Sequence, residues 1–232
     1  MFLRIFSLTL EPVNPLQFSL GECRSFFNKE LAAYSLSTKN TDSDKLHRYQ
    51  AVQCKYIKDT LMVIGISQGA GLLHQLAGGR DTILAGTNTS LITERDSLIR
   101  NEEFGITGSL HSYEFLTPWL ALNQQNAKKF YDLIGKTERD AFMQKLLLGH
   151  LNSLAKSLDY TLPFPIACEP KVRFRRDRID NENIMVFLGR FQTNLRIPDF
   201  MGIGQSISKG FGTVRHVDQD LPADPRADTP DR

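Results

Sequence analysis

Gln50-Ala-Val-Gln-Cys-Lys-Tyr-Ile57 and Leu61-Met-Val-Ile-Gly-Ile66 read as two short strands joined by the tight turn Lys58-Asp59, and Gly69-Ala-Gly-Leu-Leu-His-Gln-Leu-Ala77 follows as a helix. Working outward, residues 2–10 alternate as a first strand that Pro12 and Pro15 end, and a helix is predicted from about Gly21 to Tyr34. Residues 35–48 are almost wholly polar and read as an exposed loop, a common mount for functional groups. Downstream, Leu91, Thr93 and Arg95 alternate with Ile92, Glu94 and Asp96 in an extended region from about Thr89 to Ile106. The order is β-α-β-β-α-β, the ferredoxin-like split unit, in which two helices cover one face of a four-stranded antiparallel sheet.

The second half reads as a smaller, altered version of the same architecture. A strand is expected at Ser109–Thr117, then helices at about Gln124–Ile134 and Glu138–Leu158, broken at Gly135. In the longer helix Phe142, Leu146, Leu147, His150, Leu151, Leu154 and Leu158 share a stripe, and Pro163 and Pro165 end it. Strands at Ala167–Arg175 and Ile184–Leu195 face one another across the polar residues 177–183, and a short strand at Thr213–His216 closes the unit. The fold class is therefore α+β: two tandem ferredoxin-like (RRM-like) domains with antiparallel sheets, divided at 108/109, with 218–232 a disordered acidic tail.

The chain has 232 residues, 41% apolar and 23% charged, which excludes wholesale disorder and a collagen-like fibre. Lys+Arg number 28 and Asp+Glu 26, so the net charge of +2 selects no partner. Cys23, Cys54 and Cys168 form neither a CxxC pair nor a cluster with histidines, so no disulfide framework or zinc site is expected, and no cofactor is called for. The apolar opening is short, is interrupted by Arg4, and lacks a secretory cleavage site, and no run has the 18 or more apolar residues of a membrane span. A soluble, cytoplasmic protein without membrane contact is the expectation.

Charge is distributed unevenly. Lys171, Arg173 and Arg175 alternate with Val172 and Phe174, placing basic side chains on one strand face and apolar ones on the other, and Arg176 and Arg178 extend the charge into the turn. From Lys171 to Arg215 the basic residues also include Arg190, Arg196 and Lys209, opposed only by Asp177, Asp180, Glu182 and Asp199. A polyanion such as RNA is the implied partner. Next comes Pro198-Asp-Phe-Met-Gly202-Ile-Gly204-Gln-Ser-Ile-Ser-Lys209-Gly210-Phe-Gly212-Thr-Val-Arg215. Its glycines allow close backbone approach, so successive N–H groups could converge on a phosphate while Lys209 and Arg215 add charge. The spacing matches neither the Walker loop nor the dinucleotide fingerprint.

Four segments in this order carry a family resemblance: His47-Arg-Tyr-Gln-Ala-Val-Gln-Cys-Lys55 with Val63-Ile-Gly-Ile-Ser-Gln-Gly69, Tyr113-Glu-Phe-Leu-Thr-Pro-Trp-Leu-Ala-Leu-Asn123, Leu146-Leu-Leu-Gly-His-Leu-Asn-Ser-Leu-Ala-Lys156, and the glycine-rich ending. The chain resembles the CRISPR-associated endoribonucleases of the RAMP superfamily that cut repeat RNA into guide RNAs, closest to the type I-B branch. That resemblance implies two ferredoxin-like domains and metal-independent cleavage by the RNA's 2'-hydroxyl, giving a 2',3'-cyclic phosphate and a 5'-hydroxyl. It also implies a CRISPR repeat RNA or crRNA partner, with CRISPR effector subunits as further partners, and a monomer or homodimer. The chemistry needs a general base, a general acid and a cation at the phosphorane. The branch typically carries histidines in the loop before its Tyr-Arg-Tyr-Pro stretch, whereas residues 34–46 here have none and His47 occupies the first tyrosine position. His47 is thus the expected acid or base, Lys55 or Lys45 its charge support, and Tyr34 and Ser37 lesser candidates. One alternative keeps the fold and loses the chemistry: a repeat-RNA-binding subunit of an effector complex.

A rival class rests on Gly65-Ile-Ser67-Gln-Gly69, which fits the nucleophile elbow of α/β-hydrolases, with Asp199 and His216 preserving the triad's chain order. The remaining chain lacks the parallel-strand runs that fold requires. His150 and Trp119 read as core, His74 and His111 as structural or surface residues, and His216 as a second possible phosphate contact.

Overall fold

The computed structural model describes residues 1–12, 24–29, 51–58, 60–77, 82–85, 90–179 and 182–218. The elements are β1 (Phe2–Pro12), α1 (24–29), β2 (Val52–Ile57), β3 (Thr60–Ile66), α2 (Gln68–Ala77), β4 (Thr82–Ala85), β5 (Ser90–Glu103), β6 (Gly105–Phe115), α3 (Gln124–Asp132), α4 (Lys136–Ser157), β7 (Cys168–Ile179), β8 (Glu182–Arg196) and β9 (Val214–Val217). One sheet has the order β2-β3-β1-β5-β4 and the other β7-β8-β6-β9, with every pairing antiparallel. Setting β4 aside, both follow the strand order of the split β-α-β-β-α-β unit, so the α+β fold with two ferredoxin-like sheets stands as the sequence pattern implied. The extra edge strand β4 has only four residues, too few to show a period.

Period-two alternation gives the first sheet two working faces. Phe6, Leu8 and Leu10 of β1, Val52 and Cys54 of β2, and Leu61 and Val63 of β3 pack against Phe27 of α1 and Ala70, Leu72 and Leu73 of α2. The opposite face, with Leu3, Ile5, Ile64 and Ile66, joins a core that continues through Phe104, Tyr113, Trp119, Leu147, Phe187, Ile203 and Val214 of the second sheet and its cover. A single apolar core therefore locks one sheet against the other, each large side chain contributing about 1.5–3 kcal/mol of transfer free energy.

The second sheet departs from its template in one place. Between β8 and β9 the unit should carry a second helix, and residues 197–213 instead form the glycine-rich segment, with one short 3-10 turn at Ile207–Lys209. The helical cover comes from α3 and α4, whose buried residues are Phe130 on the first and Met143, Leu147, Leu151, Leu154 and Ala155 on the second. The inward face of α4 is thus rotated from the expected stripe, leaving Phe142, Leu146 and Leu158 half-buried. The β7–β8 hairpin runs in register from Cys168↔Thr193 to Ile179↔Glu182, so most of the expected polar turn at 177–183 is strand. Exposed charged residues are compatible with a strand whose backbone is paired along its whole length. β6 begins at Gly105, ahead of the expected Ser109, and carries an irregularity between Ile106 and His111.

Candidate functional site

Alternation along β2 turns Gln53 and Lys55 away from the helices and toward the second sheet. Lys55 is fully buried there. Its Nζ donates to Gln53 Oε1 at 2.8 Å and to Thr213 Oγ1 at 3.2 Å, a link across 158 residues of sequence. Gln53 Oε1 also accepts from the Gly202 amide at 3.2 Å. Thr213 Oγ1 donates to Gly210 O at 3.1 Å, and the same carbonyl accepts from Thr117 Oγ1 at 2.7 Å. The network clamps both ends of the glycine-rich segment to β2. Burial pushes the Lys55 ammonium down to about 7, a range in which a lysine can hold or release its proton at working pH.

The glycine-rich segment is packed from within. The amides of Ile203 and Gly212 donate to Gly212 O at 2.9 Å and to Pro118 O at 2.8 Å, and the Gly210 amide donates to Ile207 O at 3.1 Å. Gln205 N donates to Leu120 O at 3.1 Å. The expected convergence of successive amides on a phosphate is therefore replaced, at Gly202, Gly210 and Gly212, by bonds within the protein. Ser206 and Lys209 stand exposed at the tip. Gly212 has φ of 62°, and a Cβ there would lie 1.9 Å from Ile203 O. Gly212→Ala is expected to cost at least about 2 kcal/mol of stability, read as a lower urea midpoint. An unchanged midpoint would contradict this packing.

On the second sheet, Lys171, Arg173, Arg175, Arg176 and Arg178 are all exposed along β7. Arg175 pairs with Asp177 at 2.9 Å, and Lys171 lies 3.8 Å from Glu169. Such surface pairs contribute little, about 0–1 kcal/mol, and leave the side chains able to exchange partners. Arg215 is bound to Glu114, whose second oxygen is 3.9 Å from Arg190. Lys171, Arg190, Glu114 and Arg215 stand in one cross-strand row over β7, β8, β6 and β9.

His47, Lys45, Tyr34 and Ser37 lie outside the described residues. Of the remaining candidates, the structure brings Lys55, Gly202 and Gly210 together and leaves the basic strand as a separate surface. Gln53, Thr117 and Thr213 were missed by sequence reading. The usable signal for Gln53 was its position two residues before Lys55 on the same strand face. Among the described residues no cluster of three or more His, Cys, Asp or Glu side chains could hold a metal ion, and no helix is long and apolar enough to cross a membrane.

Two of the other histidines, His150 and His111, are held by contacts within the protein. Trp119, fully buried, donates its indole N–H to His150 Nδ1 at 3.2 Å, and burial pulls His150 down to about 4. His111 Nε2 is 2.8 Å from Thr107 Oγ1, its ring 5.9 Å from that of His216. Burial, with the nearby Arg196 and His216, holds His111 below the ordinary histidine value. The hydrolase reading fails on geometry. Ser67 does sit at φ of 53° between strand and helix, but β3 is antiparallel to its neighbours. Asp199 accepts the His216 backbone N–H at 2.7 Å, not a hydrogen bond from its imidazole. Gly69 in the motif serves packing: a Cβ there would meet Ala51 O at 2.1 Å.

Comparison with known proteins follows the same division of the chain. Residues 1–103 match the family model of the Cas6b N-terminal domain, and residues 105–217 match that of the Cas6b C-terminal domain. Uncharacterized protein MJ0978 of Methanocaldococcus jannaschii is 31% identical over 130 residues, covering 52% of this chain and 82% of that protein. A crystal structure of Cas6b superposes with a TM-score of 0.75 at 27% identity, covering 94% of this chain and 100% of that one. A crystal structure of the CRISPR RNA processing endoribonuclease Cas6b gives 0.71 at 26% identity, with 94% and 100% covered. With both sheets, the glycine-rich segment and both halves of the chain matched, the protein belongs to the Cas6b family.

Proposed function

We propose that this protein binds CRISPR repeat RNA and cuts it without a metal, the RNA's own 2'-hydroxyl attacking the adjacent phosphate to leave a 2',3'-cyclic phosphate and a 5'-hydroxyl. The observation that carries the reading is the clamp between Lys55 and the glycine-rich segment, in a Cas6b fold whose β7 separately presents five exposed basic residues. Family membership supports precursor-RNA processing as the activity. His47, eight residues before Lys55 in the sequence, acts as general acid or base, and Lys45, Tyr34 and Ser37 are the further candidates for supporting groups. Lys55 is a positioning residue: it holds Gln53 and Thr213, and through them Gly202 and Gly210, while its buried charge lies beneath the loop. Ser206 and Lys209 at the loop tip offer phosphate contacts in place of the occupied glycine amides. The test is cleavage of the cognate repeat RNA in EDTA, against the same RNA carrying a 2'-deoxy group at the cut position. Product from the deoxy substrate, or a requirement for metal, would overturn the mechanism.

The basic strand supplies affinity, because each Lys or Arg that neutralises a phosphate releases bound counterions. Arg173→Ala is expected to weaken RNA binding and to lower the log–log salt slope by roughly 0.7–0.9 for a lost phosphate contact. Arg215 is bound by Glu114, so Arg215→Ala should leave the slope nearly unchanged. Equal slopes for Arg173→Ala and the unaltered protein, across a salt titration, would remove β7 from the RNA surface.

A further inference from the structure

On β7 the even positions Val172, Phe174, Arg176 and Arg178 share one face, and Lys171, Arg173 and Arg175 share the other. The even face is the one the helices cover, and the cover stops at Phe174. Val172 packs partly into the core, and Phe187, opposite Phe174 on β8, is buried. Phe174 itself is 49% exposed. Its inner side meets Phe130 of α3 edge-on, with centroids 6.0 Å apart and ring planes at 80°. Phe130 is in turn held by Phe187 and by the Arg139 guanidinium, 5.4 Å above its ring. One side of the Phe174 side chain is thus fixed by a packed aromatic cluster while the rest faces solvent.

The surroundings choose the ligand. Beyond Phe174 the same face carries only Arg176 and Arg178, both exposed, and no carboxylate stands on it from 172 to 178. An apolar protein partner would meet two exposed arginines there, neither with an ion pair among the described residues. An unpaired nucleotide satisfies both features, since every base has a π-face for the ring and its phosphate suits a guanidinium. We propose that Phe174 is a stacking platform for one unpaired base of the bound RNA, with Arg176 and Arg178 taking the flanking phosphates.

This inference rests on the RNA-binding reading above and deepens it. The experiment measures affinity for the cognate repeat RNA over a salt series with the unaltered protein, Phe174→Leu, Phe174→Trp and Arg173→Ala, repeated with RNAs made abasic at single unpaired positions. Phe174→Leu is expected to bind about tenfold more weakly at every salt concentration, with its salt slope unchanged, as for a lost stacking contact. Arg173→Ala instead lowers the slope. Phe174→Trp should retain full affinity, which separates stacking from a general loss of structure. One abasic position should weaken the unaltered protein to the same extent and have no further effect in Phe174→Leu. If Phe174→Leu binds as tightly as the unaltered protein, or if every abasic position adds to its loss, the platform is absent although the RNA reading stands. If the unaltered protein binds no repeat RNA, both fall.

Discussion

Lys55→Met is expected to abolish most of the pH dependence of stability between pH 7 and 10, and to slow RNA cleavage while leaving RNA affinity almost unchanged. An unfolded lysine titrates at 10.5, and Lys55 in the folded protein titrates at about 7. Between those values the unfolded chain binds a proton that the folded chain does not. Stability therefore rises with pH across this window, by up to about 1.4 kcal/mol per unit, reaches its full value above 10.5, and is lost as pH falls toward 7. Methionine has nearly the same shape and no charge to desolvate, so its urea-unfolding free energy should be flat over the window and no lower than wild type at pH 7. Arginine is the informative opposite: it cannot shed its proton, and Lys55→Arg should be less stable than Lys55→Met at every pH. Cleavage should slow in Lys55→Met because Gln53 and Thr213 lose the donor that joins them, whereas binding on β7 is remote from the clamp. Parallel pH profiles for the wild type and Lys55→Met would show that Lys55 does not titrate in this window, and full-rate cleavage by Lys55→Met would remove it from the site.

His47→Ala should lower the cleavage rate in EDTA by about 10²–10⁴-fold, the usual contribution of a positioned general acid or base. The chemistry explains the size. The 2'-hydroxyl is a weak nucleophile until its proton is accepted, the departing 5'-oxygen is a poor leaving group until one is donated, and histidine is the side chain whose ordinary pKa suits both transfers near neutrality. Residues 34–46 hold no histidine, so that stretch of the sequence offers no second imidazole to take over the role. The variant should bind the repeat RNA as tightly as wild type, so the loss appears in single-turnover rate rather than in affinity. Unchanged cleavage would exclude His47. Tight binding with no cleavage even by the wild type would favour the RNA-binding subunit that retains its product.

Much of the fold was legible because its elements advertise themselves locally. Alternation in Phe6, Leu8 and Leu10, the close succession of β2 and β3 with Ile57 paired to Thr60, and the helical spacing of Leu147, Leu151 and Leu154 each follow from residues within a few positions of one another. The site was legible only in part. Lys55 and the glycines were visible as candidates, but their pairing was not: Nζ reaches Thr213 only because the free face of the first sheet docks on the segment that replaces a helix in the second. Likewise the glycine amides looked available, since a turn sequence does not reveal that Pro118, Ile207 and Gln53 will accept from it.

From sequence alone came the tandem α+β architecture, the basic strand, and the family resemblance that points to repeat RNA. These properties are written in periodicity, composition and short motifs, which depend on near neighbours along the chain. Tertiary structure alone decided that Lys55 is buried and titrates near neutrality, that Arg215 is balanced by Glu114, and that Phe174 escapes the helical cover while Phe187 does not. Burial and electrostatic environment are set by which surfaces meet, and those surfaces come from residues up to 158 positions apart.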